Sequence, residues 1–215
     1  MDDISSERSL VPIKPQKLKK VDQQLEIRRQ QGYKADYVPH WGLVEVKTLV
    51  EVTTKERDKL LVQFLFDSCC RISEALSVRP QDILQVAGGW QVRVLGKGKK
   101  HSAVAVSASL IAQLQAYAYR KGIKPDDRIF TINPSRAFQI IKAMAEKAGL
   151  VKPGGVGMVH ILRHSGAIER LRRTNNPKAV QDQLRHSTAY MTMRYFKTLS
   201  HEESMAIQQE VDYQW

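Results

Sequence analysis

The stretch WQVRVLGKGKKHSAVAVS, residues 90–107, alternates apolar and polar side chains in steps of two. Trp90, Val92 and Val94 alternate with polar residues before the turn GKGKK, and HSAVAVS alternates again after it. Alternation on both sides of a glycine-containing turn predicts a β-hairpin. A fold assigned to this chain must therefore include a small antiparallel sheet.

Helical periodicity surrounds the hairpin on both sides. Before it, apolar residues from Leu60 to Leu65 recur on one helix face, and TTKE (53–56) is typical of a capping box that starts this helix. After it, four helices are predicted, in SLIAQLQAYAYRKG, SRAFQIIKAMAEKAG, the segment that begins at His160, and NNPKAVQDQLRH with Asn176 as its N-cap. We therefore expect a mainly α fold with a small antiparallel β-sheet, an α+β class.

The balance of charge points to a polyanionic partner. The chain has 34 Lys and Arg against 22 Asp and Glu, a net charge of +12. This excess favours nucleic acid, and less strongly an anionic membrane surface, as the partner.

Apolar runs such as LLVQFLF are too short to span a bilayer, and MDDISSERSL does not resemble a signal peptide. The two cysteines, Cys69 and Cys70, are adjacent and rarely form a disulfide, which fits a cytoplasmic protein.

The length allows one domain with a short additional segment. Residues 1–50 are expected to form an N-terminal arm, partly extended or weakly ordered, and residues 51–215 one domain with a C-terminal helix after Ser200. Lys and Arg are frequent between Lys14 and Lys34, where only Asp22 and Glu26 oppose them. This pattern fits either a solvated tail or an arm that touches DNA.

The segment HILRH, residues 160–164, carries the first candidate functional side chains. On a helix His160 and Arg163 lie on one face and can reach the same target. His160 and His164 also have the spacing of a zinc-binding pair, but no Glu follows His160 and no cluster of carboxylates or cysteines supplies further ligands. We therefore expect no metal and no other cofactor.

Six residues in order resemble the catalytic domain of the tyrosine recombinase (phage integrase) family, with Xer-like motifs. The resemblance covers roughly residues 50 to 200 and rests on CCRISEALSVRPQDI, VRVLGKGKK, HILRH and the pair of His and Tyr nine residues apart in LRHSTAYMTMRYF. It implies the fold of that domain and a catalytic set of Arg71, Lys97, His160, Arg163, His186 and Tyr195. It also implies a DNA recombinase that forms a 3′-phosphotyrosine intermediate.

The chemistry of these residue types agrees with the resemblance. Arg71 and Arg163 can neutralise the charge of a pentavalent phosphate, and His186 can add a hydrogen bond. Tyr195 would attack phosphorus with help from His160, and Lys97 would protonate the departing 5′-oxygen. A type IB topoisomerase would use much the same residues, and a DNA-binding regulator without catalysis would keep the basic surface.

Further basic residues are expected to contact DNA phosphates, or else to be solvated charge: Lys99, Lys100, Arg172, Arg173 and Arg185. Two features depart from the family pattern. Arg185 stands where the family usually has glycine, and fewer than fifty residues precede the first helix, too few for the family's separate DNA-clamping domain. The chain is thus either a single-domain form or a fragment.

The resemblance also implies partners and a location. We expect double-stranded DNA as the substrate, assembly as a homodimer or homotetramer on it, and a possible accessory DNA-binding protein. The C-terminal helix would dock either on its own domain or on a neighbouring protomer. The expected location is cytoplasmic and nucleoid-associated, without a membrane partner.

Overall fold

The computed structural model describes residues 38–96 and 101–199, and all of these lie in one compact unit of the chain. The α-helices in these ranges are α1 (Leu43–Glu51), α2 (Glu56–Ser68), α3 (Ile72–Ala75), α4 (Ala108–Arg120), α5 (Pro134–Lys147), α6 (His160–Thr174), α7 (Pro177–Leu184) and α8 (Ala189–Phe196), and a short 3₁₀ helix covers Pro80–Asp82. The strands are β1 (Ile83–Val86), β2 (Gly89–Leu95) and β3 (His101–Val106). The predicted class, mainly α with a small antiparallel sheet, is confirmed.

The sheet contains the predicted hairpin and one strand more. β2 and β3 pair antiparallel with Val92 opposite Val104, and both of these side chains are buried. The unexpected strand β1 pairs with the other edge of β2 through a tight turn in which Gly88 has a positive φ of 89°. The alternating valines thus place one face of the sheet on the helical core, as their period of two predicts.

Helix α2 forms the centre of the core. Its predicted apolar face is buried, with Leu61 and Phe64 at 0% exposure. The capping box expected at TTKE is wrong, because α2 begins at Glu56 with Lys55 as its N-cap. The Thr53 hydroxyl instead donates to the Leu49 carbonyl at 2.7 Å and so serves the end of α1.

Residues 38–51 pack into this same core. Trp41 is 1% exposed, and its backbone N–H donates to Ser165 Oγ at 2.9 Å. Val46 and Leu49 of α1 are also buried. The boundary expected after residue 50 therefore does not coincide with a break in the described fold, because apolar residues on both sides of it share one core. Residues 1–37 lie outside the described residues.

Helix α6 approaches α2 unusually closely through Gly166. A Cβ at this position would lie 1.8 Å from the Phe66 carbonyl oxygen, so only glycine fits there. Helix α7 begins as predicted, with the Asn176 side chain accepting from the Ala179 N–H at 3.0 Å. None of the helices in the described ranges is long and apolar enough to cross a bilayer.

Candidate active site

The end of α2 sets the geometry of the site. Cys69 follows the helix in a left-handed conformation, with φ at 52°, which turns the chain into α3. Such a backbone is uncommon for a residue other than glycine. Burial raises the pKa of the Cys69 thiol to about 12. Cys69 therefore contributes through its backbone carbonyl, which accepts a hydrogen bond from Arg163.

Arg71 begins α3 and is held by a buried carboxylate. Glu74 is 2% exposed, and its Oε2 accepts from the Arg71 backbone N–H at 2.7 Å. Its Oε1 accepts from Arg71 Nη1 at 3.0 Å. The Arg71 side chain remains 45% exposed. Glu74 thus orients a guanidinium that solvent, or a ligand, can still reach.

Arg163 lies inside the protein at 2% exposure. Its Nη1 donates to the Cys69 carbonyl at 2.5 Å and its Nη2 to the Leu184 carbonyl at 2.8 Å. These carbonyls belong to the C-terminal ends of α2 and α7, where a cation is favoured by the helix dipoles. Burial lowers the pKa of Arg163, and the charge of nearby Arg71 lowers it further. The positive charges of the two guanidiniums therefore influence each other.

Two histidines of α6 contact each other beside these arginines. The rings of His160 and His164 meet edge to face, with 5.0 Å between their centroids. His164 Nδ1 lies 3.2 Å from the Pro39 carbonyl oxygen, so this nitrogen carries the proton and donates it. Burial lowers the pKa of His164 to about 4, and burial followed by the charge of Arg163 lowers that of His160. The His164 ring is consequently neutral at pH 7.

Tyr195 of α8 is buried against this group at 4% exposure. Its ring centroid lies 5.9 Å from that of His164 and 6.1 Å from that of His186. Burial raises the pKa of Tyr195 to about 12, and the charge of Arg163 opposes this rise. The phenol is therefore protonated at pH 7 and must lose its proton to act as a nucleophile.

His186 follows α7 and contacts α8. Its Nδ1 lies 3.0 Å from the hydroxyl oxygen of buried Thr192. Burial lowers the pKa of His186 to about 4, with Arg163 and Arg71 adding to the effect. If the Thr192 hydroxyl donates to Nδ1, the single proton of the neutral ring is on Nε2 and can be donated to a ligand.

The structure brings five of the six expected catalytic residues into one cluster: Arg71, His160, Arg163, His186 and Tyr195. We call these residues together with Glu74, His164 and Arg185 the arginine–tyrosine cluster. Lys97, the sixth, lies outside the described residues, as do Lys99 and Lys100. The catalytic roles of the six stay predictions.

The residues expected to contact DNA have different environments. Arg172 and Arg173 lie in the last turn of α6, and exposed Arg173 donates from Nε to Glu169 at 2.7 Å. Arg185 was expected to contact a DNA phosphate or to be solvated charge, and its contact with DNA stays a prediction. Its side chain is 12% exposed and pairs with Glu74, and its backbone has a left-handed conformation at the end of α7.

Two members of the cluster, Glu74 and His164, were not predicted from the sequence as functional residues. Glu74 was seen only as part of a helix start, although its place three residues after Arg71 could have suggested a cap on that residue. His164 was considered only as half of a metal pair. Within residues 38–96 and 101–199, no group of three or more His, Cys, Asp and Glu side chains could hold a metal ion.

Comparison with known protein sequences identifies relatives of this chain. Residues 44–202 match the phage integrase family. A tyrosine recombinase of Pseudothermotoga lettingae is 31% identical over 168 residues, which cover 76% of this chain and 57% of that protein. The recombinase XerC of Xanthomonas axonopodis pv. citri is 34% identical over 161 residues, covering 70% of this chain and 51% of XerC. The chain spans about half the length of the curated relatives it matches.

Solved structures share the fold. The XerH site-specific recombinase, bound to its palindromic difH substrate after cleavage, superposes with a TM-score of 0.67 at 22% identity, over 80% of this chain and 54% of XerH. The catalytic domain of bacteriophage HP1 integrase superposes with a TM-score of 0.61 at 20% identity, over 80% of this chain and 95% of that domain. At such identities these likenesses establish the fold alone.

Proposed function

Since the chain belongs to the phage integrase family of tyrosine recombinases, we propose that it cleaves and rejoins duplex DNA at specific sites through a 3′-phosphotyrosine intermediate. The outcome of the exchange would be integration, excision, inversion or resolution. The observation that carries the proposal is the placement of the Tyr195 ring beside those of His164 and His186, in the cluster that also holds Arg71 and Arg163.

The arginines supply the electrostatic part of the reaction. A phosphodiester gains negative charge as it becomes pentavalent, and guanidinium groups can donate paired hydrogen bonds to its non-bridging oxygens. Arg163 is fixed by two backbone carbonyls and Arg71 by Glu74, so both charges are in place before a ligand arrives. This preorganisation supports their assignment as the phosphate-binding pair. His186 would donate a further hydrogen bond to the same phosphate.

Tyr195 would attack phosphorus with its Oη. The new bond joins Oη to phosphorus, and the bond from phosphorus to the 5′-oxygen breaks. The phenol proton must be removed, and His160 is our candidate for the base. Its ring contacts His164, which in turn contacts Tyr195. Lys97 would give a proton to the departing 5′-oxygen, which leaves as a hydroxyl.

Rejoining is the reverse of this step. The 5′-hydroxyl of a second strand attacks the phosphotyrosine, returns the phosphate to DNA and releases the phenol. The energy of the broken bond stays in the link between protein and DNA, so the cycle needs no ATP. Histidine, lysine and tyrosine perform the proton transfers in this scheme, and no metal or organic cofactor is required.

Trapping the covalent intermediate tests the proposal. A duplex nicked close to the crossover loses a short fragment after cleavage, so the 5′-hydroxyl needed for rejoining diffuses away. The full chain incubated with a panel of such duplexes should form a protein–DNA adduct that survives denaturing electrophoresis. Tyr195→Phe should form none while retaining DNA binding. Adduct formation by that variant would place the nucleophile elsewhere.

The same substrates separate the competing functions. A DNA-binding regulator would bind the duplexes without any adduct, which would contradict the proposal. A type IB topoisomerase would relax supercoiled plasmids that lack a specific site. Addition of EDTA should leave adduct formation unchanged, whereas a metal-dependent nuclease would lose its activity.

We further propose the partners and the arrangement of the chain. Double-stranded DNA is the substrate, with assembly as dimers or tetramers on it and an accessory DNA-binding protein as a possible helper. Of the N-terminal arm expected over residues 1–50, only the part before Val38 would extend beyond the catalytic domain, since Trp41 and α1 pack into its core. The segment after Ser200 would form the docking helix. Lys99, Lys100, Arg172 and Arg173 would contact DNA phosphates, and the protein would be cytoplasmic and nucleoid-associated.

A further inference from the structure

The carboxylate of Glu74 contacts two guanidinium groups. Arg71 Nη1 donates to Oε1 at 3.0 Å. Arg185, which lies 111 residues after Glu74 in the sequence, donates from Nη2 to Oε2 at 2.5 Å. The Glu74 side chain is 3% exposed and the Arg185 side chain 12% exposed. This ion pair is therefore largely removed from water, where charges interact more strongly than at the surface.

Arg185 adopts a backbone conformation that favours glycine. Its φ is 56°, in the left-handed region, which costs a residue with a Cβ roughly 1 kcal/mol. Such a conformation persists where the surroundings determine it. Here they include the contact with Glu74 and a second hydrogen bond, from Arg185 Nη1 to the Gln183 carbonyl at 3.1 Å. Arg185 is thus fixed at both ends of its guanidinium.

The charges of the cluster show what this contact changes. Glu74 holds Arg71 through two hydrogen bonds, but its negative charge also offsets the positive charge of Arg71 at any bound phosphate. A second guanidinium on the same carboxylate offsets that negative charge in turn. Arg71, Arg163 and Arg185 against Glu74 leave the cluster with two positive charges, where Arg71 and Arg163 against Glu74 would leave one.

We propose that Arg185 is a positioning residue that acts through Glu74: it takes up the carboxylate's charge, so that Arg71 keeps its full effect on the scissile phosphate. This inference rests on the proposed function, since it concerns the same cleavage step. Arg185 itself faces Glu74 and need not touch the DNA. The chain would thereby use, at a position where the family pattern has glycine, a cation that the pattern lacks.

The first test is a double-mutant cycle at Glu74 and Arg185. The rate of adduct formation on the nicked duplex is measured under single-turnover conditions. Arg185→Gln should slow the adduct about 10- to 100-fold, the size expected for loss of one charge-assisted interaction. Glu74→Gln in the same chain removes the unbalanced carboxylate, so the double variant should regain at least half of that loss on a logarithmic scale. A double variant no faster than Arg185→Gln would overturn the proposal.

A neutral phosphate provides the second test. In a methylphosphonate duplex one non-bridging oxygen at the cleavage site is a methyl group, so the reacting group needs less positive charge around it. The deficit of Arg185→Gln should shrink to within about threefold on this substrate. A purely structural fault would slow both substrates equally, and that result would contradict the proposal.

Two further variants control for folding. Arg185→Gly removes the charge and also relieves the left-handed backbone, so it should fold yet show the same slow adduct on phosphodiester DNA. Arg57→Gln removes an arginine that pairs with the buried carboxylate of Asp58 at 2.6 Å, in the first turn of α2 and far from the cluster. It should react at the wild-type rate. An Arg185→Gly rate equal to wild type would overturn the inference alone, whereas no adduct with the unaltered chain would overturn the proposed function.

Discussion

Single residues in this site owe their chemistry to burial. Burial raises the pKa of Tyr195 to about 12 and lowers those of His164 and His186 to about 4, so at pH 7 all three are neutral. The positive charge of the cluster therefore comes from guanidinium groups, which stay protonated even when buried. In the proposed reaction Tyr195 is thus a neutral nucleophile, and its phenolate, once formed, would be stabilised by these fixed cations.

The low pKa of His164 predicts a loss of stability in acid. Unfolded, this histidine titrates near 6.5, while in the folded chain it stays neutral to about pH 4. Between these values the unfolded state binds more protons, so the free energy of unfolding falls as pH falls. His164→Gln should reduce the loss between pH 7 and pH 5 by about 2 kcal/mol, measured by urea unfolding at both pH values.

A surface histidine provides the matched control for that measurement. His101 begins β3 and is exposed, and His101→Gln leaves His164 in place, so the acid-induced loss attributed to His164 should remain in this variant. His186 remains in both variants and should continue to contribute its own acid sensitivity. An His164→Gln variant with the full wild-type loss would mean that the folded state already accommodates the protonated ring.

At the scale of elements, the C-terminal end of α2 links the helices and sheet around the site. Its last carbonyls accept from side chains of α6 and α7: Asp67 from Arg170 at 2.7 Å, and Ser68 from Gln183 at 2.9 Å. The Gln183 amide also pairs with both the N–H and the carbonyl of Ala105 on β3. These hydrogen bonds thus hold α6, α7 and β3 in position relative to the C-terminal end of α2.

The contact between α6 and α2 predicts that Gly166→Ala is strongly destabilising. Alanine normally favours a helix over glycine by about 1 kcal/mol, but here its Cβ would lie 1.8 Å from the Phe66 carbonyl oxygen. The helices must separate, and we expect a loss of about 3 kcal/mol in the free energy of unfolding. Chemical denaturation of the purified variant measures it.

Gly157 is the comparison for this substitution. A Cβ there would meet only His160 Cβ at 3.9 Å, an ordinary contact, and its φ is not in the left-handed region. Gly157→Ala should change stability by less than about 0.5 kcal/mol. Equal effects of the two alanines would show that backbone entropy, and not the close approach of α6 to α2, controls both.

At the scale of the whole molecule, the net charge of +12 predicts how binding responds to salt. Neutralising phosphates releases counterions, so an interface with about six phosphate contacts should lose roughly a thousandfold in affinity between 50 and 200 mM salt. Tyr195→Phe is the form to measure, by fluorescence anisotropy on a duplex, because it cannot become covalently attached. A nearly flat response would contradict an extended contact with the DNA backbone.

The sequence by itself determined most of the elements, with the exceptions of β1, α1 and α8, and indicated the main site residues. Period-two valines predicted β2 and β3, helical spacing predicted several of the helices, and the resemblance to the tyrosine recombinase family implied the set of Arg71, Arg163, His186 and Tyr195. The strands and helices are readable because they depend on local spacing along one strand or one helix face. The Thr53 cap was predicted wrongly because the Thr53 hydroxyl donates to the Leu49 carbonyl at the end of the preceding helix, and α2 begins after Lys55.

Only the tertiary structure decided which partner each polar side chain meets. The Arg163 guanidinium bonds a carbonyl 94 residues away, and Arg185 bonds a carboxylate 111 residues away. No local pattern records such contacts, since they arise when the ends of α2, α6 and α7 pack together. For that reason the sequence alone does not show that Arg185 pairs with the buried carboxylate of Glu74.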